Sequence, residues 1–133
     1  MYKTILIPID CSDVDNAILS HIEMLAKLCQ SKIILLRAAS YSTRDNKIHE
    51  YQEAEEYLNK YKKQLMSKGI FVETLICEGE PFKEVIKAAE EYEVELIAMS
   101  THGHKFFQDL LLGSVADKIR HETNIPILLI KGA

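Results

Sequence analysis

The sequence predicts one α/β domain, residues 1–133, folded as a three-layer α/β/α sandwich around a five-stranded, mostly parallel sheet. Short apolar runs alternate with longer segments of helical periodicity along the chain. The 133 residues suit one domain with a substantial core, and 47% hydrophobic content is ordinary for a globular protein. No repeat, linker or low-complexity tract interrupts this alternation.

The first half of the chain predicts two strands and two helices. Residues 4–9 are an apolar, β-branched run that ends in a turn-and-cap cluster, residues 10–13. Apolar residues recur at helical spacing over 14–30, and 33–38 is a second apolar strand. A long polar helix follows over 45–67. Its predicted core-facing stripe consists of Ile48, Tyr51, Ala54, Leu58, Tyr61 and Leu65.

The second half predicts three strands and two helices. The strands are expected at 70–77, 94–99 and 125–130. Pro81 lies at the start of the third helix, a position that proline favours, and a fourth helix begins at Val115. The strand at 94–99 is apolar throughout, which is typical of a strand covered on both faces.

A parallel sheet of this kind binds ligands at the carboxyl ends of its strands, where the strand order reverses. If the first strand is central, the turns after strands one and four lie side by side at that point. Asp10 ends the first strand, and the segment MSTHGHKFFQDLLLGS, residues 99–114, carries Gly103 and Gly113 after the fourth.

This glycine segment has two interpretations. Gly113-Ser114 precedes a helix, where free backbone N–H groups and the helix dipole favour a phosphate. Gly113 has no Cβ and permits close approach, and Ser114 adds a hydroxyl donor. In the other interpretation Gly103 only turns the chain and Gly113-Ser114 only caps the helix.

The chain resembles the universal stress protein family in four segments. The motif STHG, followed after nine residues by GSV, resembles the family's nucleotide-binding signature, G-x-x-G-x9-G-[ST]. KTILIPIDCS resembles its first strand and turn, GEPFKEVIKAA its G-x-P-x-x-x-I turn and helix, and NIPILLIK its final strand. The resemblance spans nearly the whole chain. It implies a Rossmann-like fold, of the adenine nucleotide alpha hydrolase-like type, with strand order 3-2-1-4-5.

The resemblance also implies that ATP or AMP, with Mg²⁺, binds at the carboxyl ends of strands 1 and 4. Asp10 would contact the nucleotide directly or through its Mg²⁺; in the alternative interpretation Asp10 caps the following helix, although Ser12 and Asp13 are closer to that position. Pro8 and Ile9 would shape the adenine pocket, and the Ala38 backbone would meet the base edge. The implied nucleotide-binding set is Pro8, Ile9, Asp10, Ala38, Met99, Ser100, His102, Gly103, His104, Gly113, Ser114 and Val115.

Ser100 departs from the family signature, because the nucleotide binders carry a glycine there. Its Cβ stands beside the ligand path, but its hydroxyl and N–H remain donors, so we expect weakened or altered binding. The alternative is a degraded site in a nucleotide-independent, dimeric interaction protein. His102 and His104 have no cysteine or carboxylate at a ligand spacing nearby, so we expect loop or outer-phosphate roles and no direct metal site.

Composition indicates in which compartment the protein works and which classes of partner it binds. The net charge of −4 argues against sequence-independent nucleic-acid binding, which needs a basic face. The apolar run Ile5-Leu6-Ile7 is too short for a membrane span or a signal peptide. The 3 cysteines, with no CxxC, favour a reducing compartment. We therefore expect a cytoplasmic protein.

No catalytic constellation is evident in the sequence. It contains no nucleophile–base–orienter set and no Walker Gly-Lys-Ser/Thr, so we expect a binding protein and at most a slow ATPase. The resemblance implies a nucleotide-dependent stress-response regulator. The apolar final strand, at a predicted sheet edge, favours pairing with another chain. Because the family dimerises through this strand, we expect a homodimer through residues 125–131.

Overall fold

We describe a computed structural model of the protein over residues 1–39, 43–100 and 118–131. Strands and helices alternate as the sequence predicts, and the bounds that the structure describes differ from the predicted ones by one or two residues. The predicted start of the fourth helix, Val115, lies outside the described residues. In chain order they are β1 (Thr4–Pro8), α1 (Asp15–Cys29), β2 (Lys32–Ala39), α2 (Arg44–Met66), β3 (Phe71–Glu78), α3 (Pro81–Glu91), β4 (Leu96–Ser100) and β5 (Ile127–Ile130). Residues 118–122 are also helical.

The five strands form one sheet in the order β3-β2-β1-β4-β5, and every strand pair is parallel. This confirms the predicted fold class and the strand order that the family resemblance implies. β1 is central; the chain continues from β1 to β2 on one side of it, and from β4 to β5 on the other side. The strand order therefore reverses between β1 and β4, and the crevice at their carboxyl ends is where such sheets bind ligands.

Both faces of the sheet are covered, which explains why its strands read as continuous apolar runs. Alternate residues of β1 point to opposite faces. Ile5 and Ile7 pack in the core that α1 and α2 cover, and Leu6 packs in the core that α3 covers. All three side chains are fully buried. The central strand is thus packed on both faces. Its carboxyl end, which leads into Asp10, is packed in the same way.

The apolar stripe of α2 is shorter than the sequence predicts. Ala54, Leu58, Tyr61 and Leu65 are buried. Ile48 and Tyr51 are wrongly predicted, because their side chains are 49% and 48% exposed. α2 has 23 residues and spans about 34 Å, whereas β2 and β3 have 8 residues each and span about 26 Å. The first turns of α2 lie at the carboxyl edge of the sheet, where Lys47 Nζ is 2.7 Å from Oε2 of Glu78, the last residue of β3.

β5 lies at an edge of the sheet and pairs with β4 from Ile127 to Ile130. It is only half covered: Leu129 is 41% exposed, and its three neighbours are of intermediate exposure. Among the helices of residues 1–39, 43–100 and 118–131, none has the length and apolar character needed to cross a membrane.

Candidate functional site

Six of the predicted site residues meet at the carboxyl edge of the three central strands. Pro8 ends β1 and is paired with Leu36 of β2, two residues before Ala38. The Ile9 N–H continues this pairing by donating to the Leu36 carbonyl over 2.8 Å. Met99 and Ser100 end β4, the other neighbour of β1. The structure therefore brings Pro8, Ile9, Asp10, Ala38, Met99 and Ser100 together, and their part in nucleotide binding stays a prediction.

The side chains at this edge differ in what they could offer a ligand. Ile9, Ala38 and Met99 are at most 1% exposed. Ile9 packs in the core on the α1 and α2 side, and Met99 packs in the core on the α3 side. A ligand above them would meet backbone N–H and C=O groups. Asp10 and Ser100 are polar and also buried, at 4% and 8% exposure. They bring a carboxylate and a hydroxyl to the two sides of the point where the strand order reverses.

The backbone of the turn between β1 and α1 has a left-handed conformation at Cys11. Cys11 has a φ of 60°, in the left-handed region that residues with a Cβ seldom occupy. Beyond it, the Ser12 hydroxyl donates to Oδ2 of Asp10 over 2.5 Å. Asp10 therefore has a side-chain partner within its own turn, which holds the direction of its carboxylate.

Asp15, a buried acid that no sequence motif marks, organises this turn. The Asp15 carboxylate, 1% exposed, accepts hydrogen bonds from the backbone N–H groups of Asp10 at 2.9 Å, Cys11 at 2.8 Å and Ser12 at 3.3 Å. Burial raises the pKa of Asp15, and these hydrogen bonds act in the opposite direction. In sequence, Ser12 and Asp13 lie closer than Asp10 to the cap position of α1; the N-cap in the structure is Val14, with no side-chain cap bond.

The left-handed Cys11 explains this difference, because it turns three successive N–H groups toward one point, and an acid in the first turn of α1 reaches that point. The available signal was an aspartate five residues after the strand-end acid, at a helix start where negative charge is favourable. Nothing in the local pattern distinguished it from the exposed Asp13.

Tyr61 of α2 completes the arrangement from a distant part of the chain. Its hydroxyl donates to Oδ2 of Asp15 over 3.0 Å and approaches the Ser12 carbonyl oxygen at 3.3 Å. Its ring is 2% exposed, which agrees with the predicted stripe. Burial, followed by the negative charge of Asp15, raises the pKa of Tyr61, so the phenol stays protonated and remains a donor.

A buried cation lies next to the position proposed to meet the base. Arg37, adjacent to Ala38 in β2, is 5% exposed, and its Nη2 is 3.7 Å from Oε2 of Glu50 on α2. Arg37 interrupts an otherwise apolar strand with no motif around it, so no sequence pattern marks it as a site residue. α2 therefore contacts this edge of the sheet at two polar points, Arg37 and the turn that holds Asp10.

The remaining predicted site residues, His102, Gly103, His104, Gly113, Ser114 and Val115, lie outside the described residues. Within the described ranges no group of three or more His, Cys, Asp or Glu side chains could hold a metal ion. The Asp10 carboxylate suits a metal that arrives with a nucleotide, since Mg²⁺ is usually bound by one or two carboxylates, waters and substrate phosphates.

Comparison with known proteins supports one family. The family model described as "Universal stress protein family" matches residues 1–131. The universal stress protein MJ0577 of Methanocaldococcus jannaschii is 30% identical in sequence over 98% of this chain and 96% of its own length. The solved structure of MJ0577 superposes with a TM-score of 0.79 and 32% identity, covering 98% of this chain and 96% of that one.

Two other solved structures with this fold hold nucleotides. The universal stress protein from Archaeoglobus fulgidus in complex with dAMP has a TM-score of 0.76 and 21% identity, covering 98% of each chain. A universal stress protein in complex with cAMP has a TM-score of 0.75 and 15% identity, covering 98% of this chain and 97% of the other. At these identities the likeness shows the shared fold.

Proposed function

This chain belongs to the universal stress protein family, and from that premise we propose that it binds ATP or AMP and acts as a nucleotide-dependent regulator of a stress response. The observation that carries the proposal is the reversal of strand order between β1 and β4, with buried Asp10 and Ser100 on its two sides. Relatives of the same fold bind dAMP and cAMP, which supports an adenine nucleotide as the ligand.

Each part of the nucleotide has a matching group in the proposal. The adenine lies above the backbone of Ile9 and Ala38, whose side chains are buried beneath it. The phosphates are held by the amides and hydroxyl of Gly103, Gly113 and Ser114, following the family signature. Asp10 contacts the nucleotide directly or through its Mg²⁺. When bound, Mg²⁺ neutralises phosphate charge, so that the acidic Asp10 side chain can approach the phosphates.

Regulation in this proposal requires binding and no chemical step. Nucleotide occupancy changes the populations of two states of the protein if it binds one state more tightly than the other. ATP hydrolysis, if it occurs, is slow and incidental to this role. We place the protein in the cytoplasm, on the composition given above.

We also propose that the protein is a homodimer through residues 125–131. β5 is an apolar edge strand with Leu129 41% exposed, and an apolar edge strand can pair with a second copy. The proposed contact is antiparallel about a two-fold axis, so the same residues contribute from both protomers.

The second candidate function is a dimeric interaction protein that binds no nucleotide. The buried Ser100 favours it, since its Cβ stands at the end of β4 where the family's binders have a glycine. In that case the surface around β5 would be the functional interaction surface of the protein.

Released nucleotide distinguishes the two candidates. The purified protein is denatured, and the supernatant is separated by anion exchange with ATP and AMP standards. We expect near-stoichiometric ATP or AMP from the wild type, and none from Gly113→Val or from Asp10→Ala. Asp13→Ala is the matched control, because Asp13 is exposed in the same turn. An empty wild type with no thermal shift in Mg-ATP or AMP would favour the second candidate.

A further inference from the structure

Asp15 and Tyr61 hold the β1–α1 turn in one conformation, although neither belongs to the family signature quoted above. An ionised carboxylate has room for about four hydrogen-bond donors, and four aim at Asp15: three backbone N–H groups of residues 10–12 and the Tyr61 hydroxyl. The Asp15 and Tyr61 side chains are at most 2% exposed, so water competes little for these bonds. The acceptor is thus surrounded by donors supplied by the protein.

The bonds continue from this pair to Asp10 by two routes. Asp15 Oδ1 holds the Asp10 backbone N–H at 2.9 Å. Asp15 Oδ2 accepts from the Ser12 N–H at 3.3 Å, and the Ser12 hydroxyl in turn donates to Oδ2 of Asp10. Both the backbone and the carboxylate of Asp10 therefore depend on the position of Asp15.

The same arrangement decides what the turn amides can bind. A strand-to-helix turn of this kind often presents its N–H groups to a phosphate. Here the amides of residues 10–12 donate to a carboxylate of the protein itself. A phosphate would have to displace a buried negative charge to use them. With these amides engaged, the group that the turn can offer a ligand is the Asp10 carboxylate.

We propose that Asp15 and Tyr61 are positioning residues for the nucleotide site: Asp15 holds the amides of the β1–α1 turn and Tyr61 anchors Asp15 to α2, so that Asp10 faces the ligand and the turn amides are closed to phosphate. This inference rests on the proposed function for its ligand. The restraint of the turn by Tyr61, 46 positions after Asp15, does not depend on a ligand and can be tested in the protein without one.

The test compares Tyr61→Phe with Tyr57→Phe. Tyr57 is the matched control because it lies on the same helix, with its ring centroid 5.8 Å from that of Tyr61. Within the described residues its hydroxyl makes no hydrogen bond that corresponds to the one from Tyr61 to Asp15. Both variants keep their rings, so the core packing of α2 is preserved and only a hydroxyl is removed.

Two readouts are taken on each variant. The first is amide hydrogen exchange of Asp10 and Cys11 by NMR without nucleotide, relative to the amides of β2, which removes any change in global stability. The second is the dissociation constant for AMP and for Mg-ATP by calorimetry. For Tyr61→Phe we expect exchange about two- to tenfold faster and affinity about two- to tenfold weaker, as for the loss of one hydrogen bond. We expect Tyr57→Phe to match the wild type in both.

The readouts separate the inference from the proposed function. If Tyr61→Phe exchanges at the wild-type rate at Asp10 and Cys11, the turn is not held by Tyr61 and the inference is overturned. If exchange accelerates while both affinities are unchanged, the turn is held but does not position the ligand, which also overturns it. If the wild type binds neither AMP nor Mg-ATP, the proposed function fails, and the positioning role fails with it. The exchange rates then still decide whether Tyr61 restrains the turn.

Discussion

Replacing Asp15 with alanine is the most direct perturbation of the β1–α1 turn, and its effect on stability follows from the hydrogen bonds of the folded chain. The substitution removes the acceptor of three backbone N–H groups and of the Tyr61 hydroxyl. Three of these four bonds are buried, and the bond from Ser12 is partly buried. A buried donor left without a partner costs about 1–3 kcal/mol.

The net cost is smaller than the sum of these losses. Relief from burying a negative charge offsets part of the cost, and water can enter a site at the edge of the sheet. Taking the lower end, about 1 kcal/mol, for each buried donor and subtracting this relief, we expect Asp15→Ala to lower the free energy of unfolding by about 2–3 kcal/mol. For a domain of this size that corresponds to a fall in Tm of roughly 8–12 °C.

The assay is urea unfolding followed by circular dichroism, at fixed protein concentration because a dimer's stability depends on it. Asp13→Ala is the control, since it removes an exposed aspartate from the same turn. We expect the control to lie within about 0.5 kcal/mol of the wild type. If Asp15→Ala is no less stable than Asp13→Ala, the reasoning about the buried carboxylate is refuted.

Three further predictions concern the site, the sheet edge and a thiol. Ser100→Gly, which restores the family signature, should tighten AMP and Mg-ATP binding by calorimetry; weaker binding would mean that the serine hydroxyl is itself a ligand contact. Leu129→Glu should give a monomer by light scattering, since it puts a charge on the β5 edge, whereas Leu28→Glu, at an 83% exposed position of α1, should leave the dimer intact. Burial, followed by the charge of Glu84, raises the pKa of the Cys77 thiol, so less thiolate is present near neutral pH than in the unfolded chain. Alkylation of Cys77, followed by mass spectrometry against pH, should therefore have its midpoint at higher pH in the folded protein than in urea, and equal midpoints would contradict this.

The fold was predictable because its determinants are local and repeated. Each strand is an apolar run and each helix has a 3.6-residue period, so their alternation predicts the parallel sheet without any knowledge of contacts. Asp10 was predicted at the carboxyl edge for the same reason, because it directly follows a buried strand. Strand order was less accessible, since a run of apolar residues does not record its neighbours. It came from resemblance to a family and is confirmed by the sheet.

The α2 helix shows where local pattern stops being informative. Ile48 and Tyr51 follow the same spacing as Ala54 and Leu58, but only the latter pair is buried. Burial of a helical stripe requires an apolar surface opposite it, and the sheet ends before α2 does. The length of the partner surface is a property of the assembled layers, so spacing along the helix could not reveal it.

The sequence by itself determined the order of the elements, the parallel sheet and the placement of Asp10 and Ser100 at the ends of β1 and β4. Only the tertiary structure decided that Asp15, and neither Ser12 nor Asp13, gathers the amides of the turn, and that Tyr61 holds it there. The physical reason is the range of the interactions. Periodicity and strand ends are encoded within a few residues, whereas a bond between positions 46 apart exists only once α2 lies on the sheet.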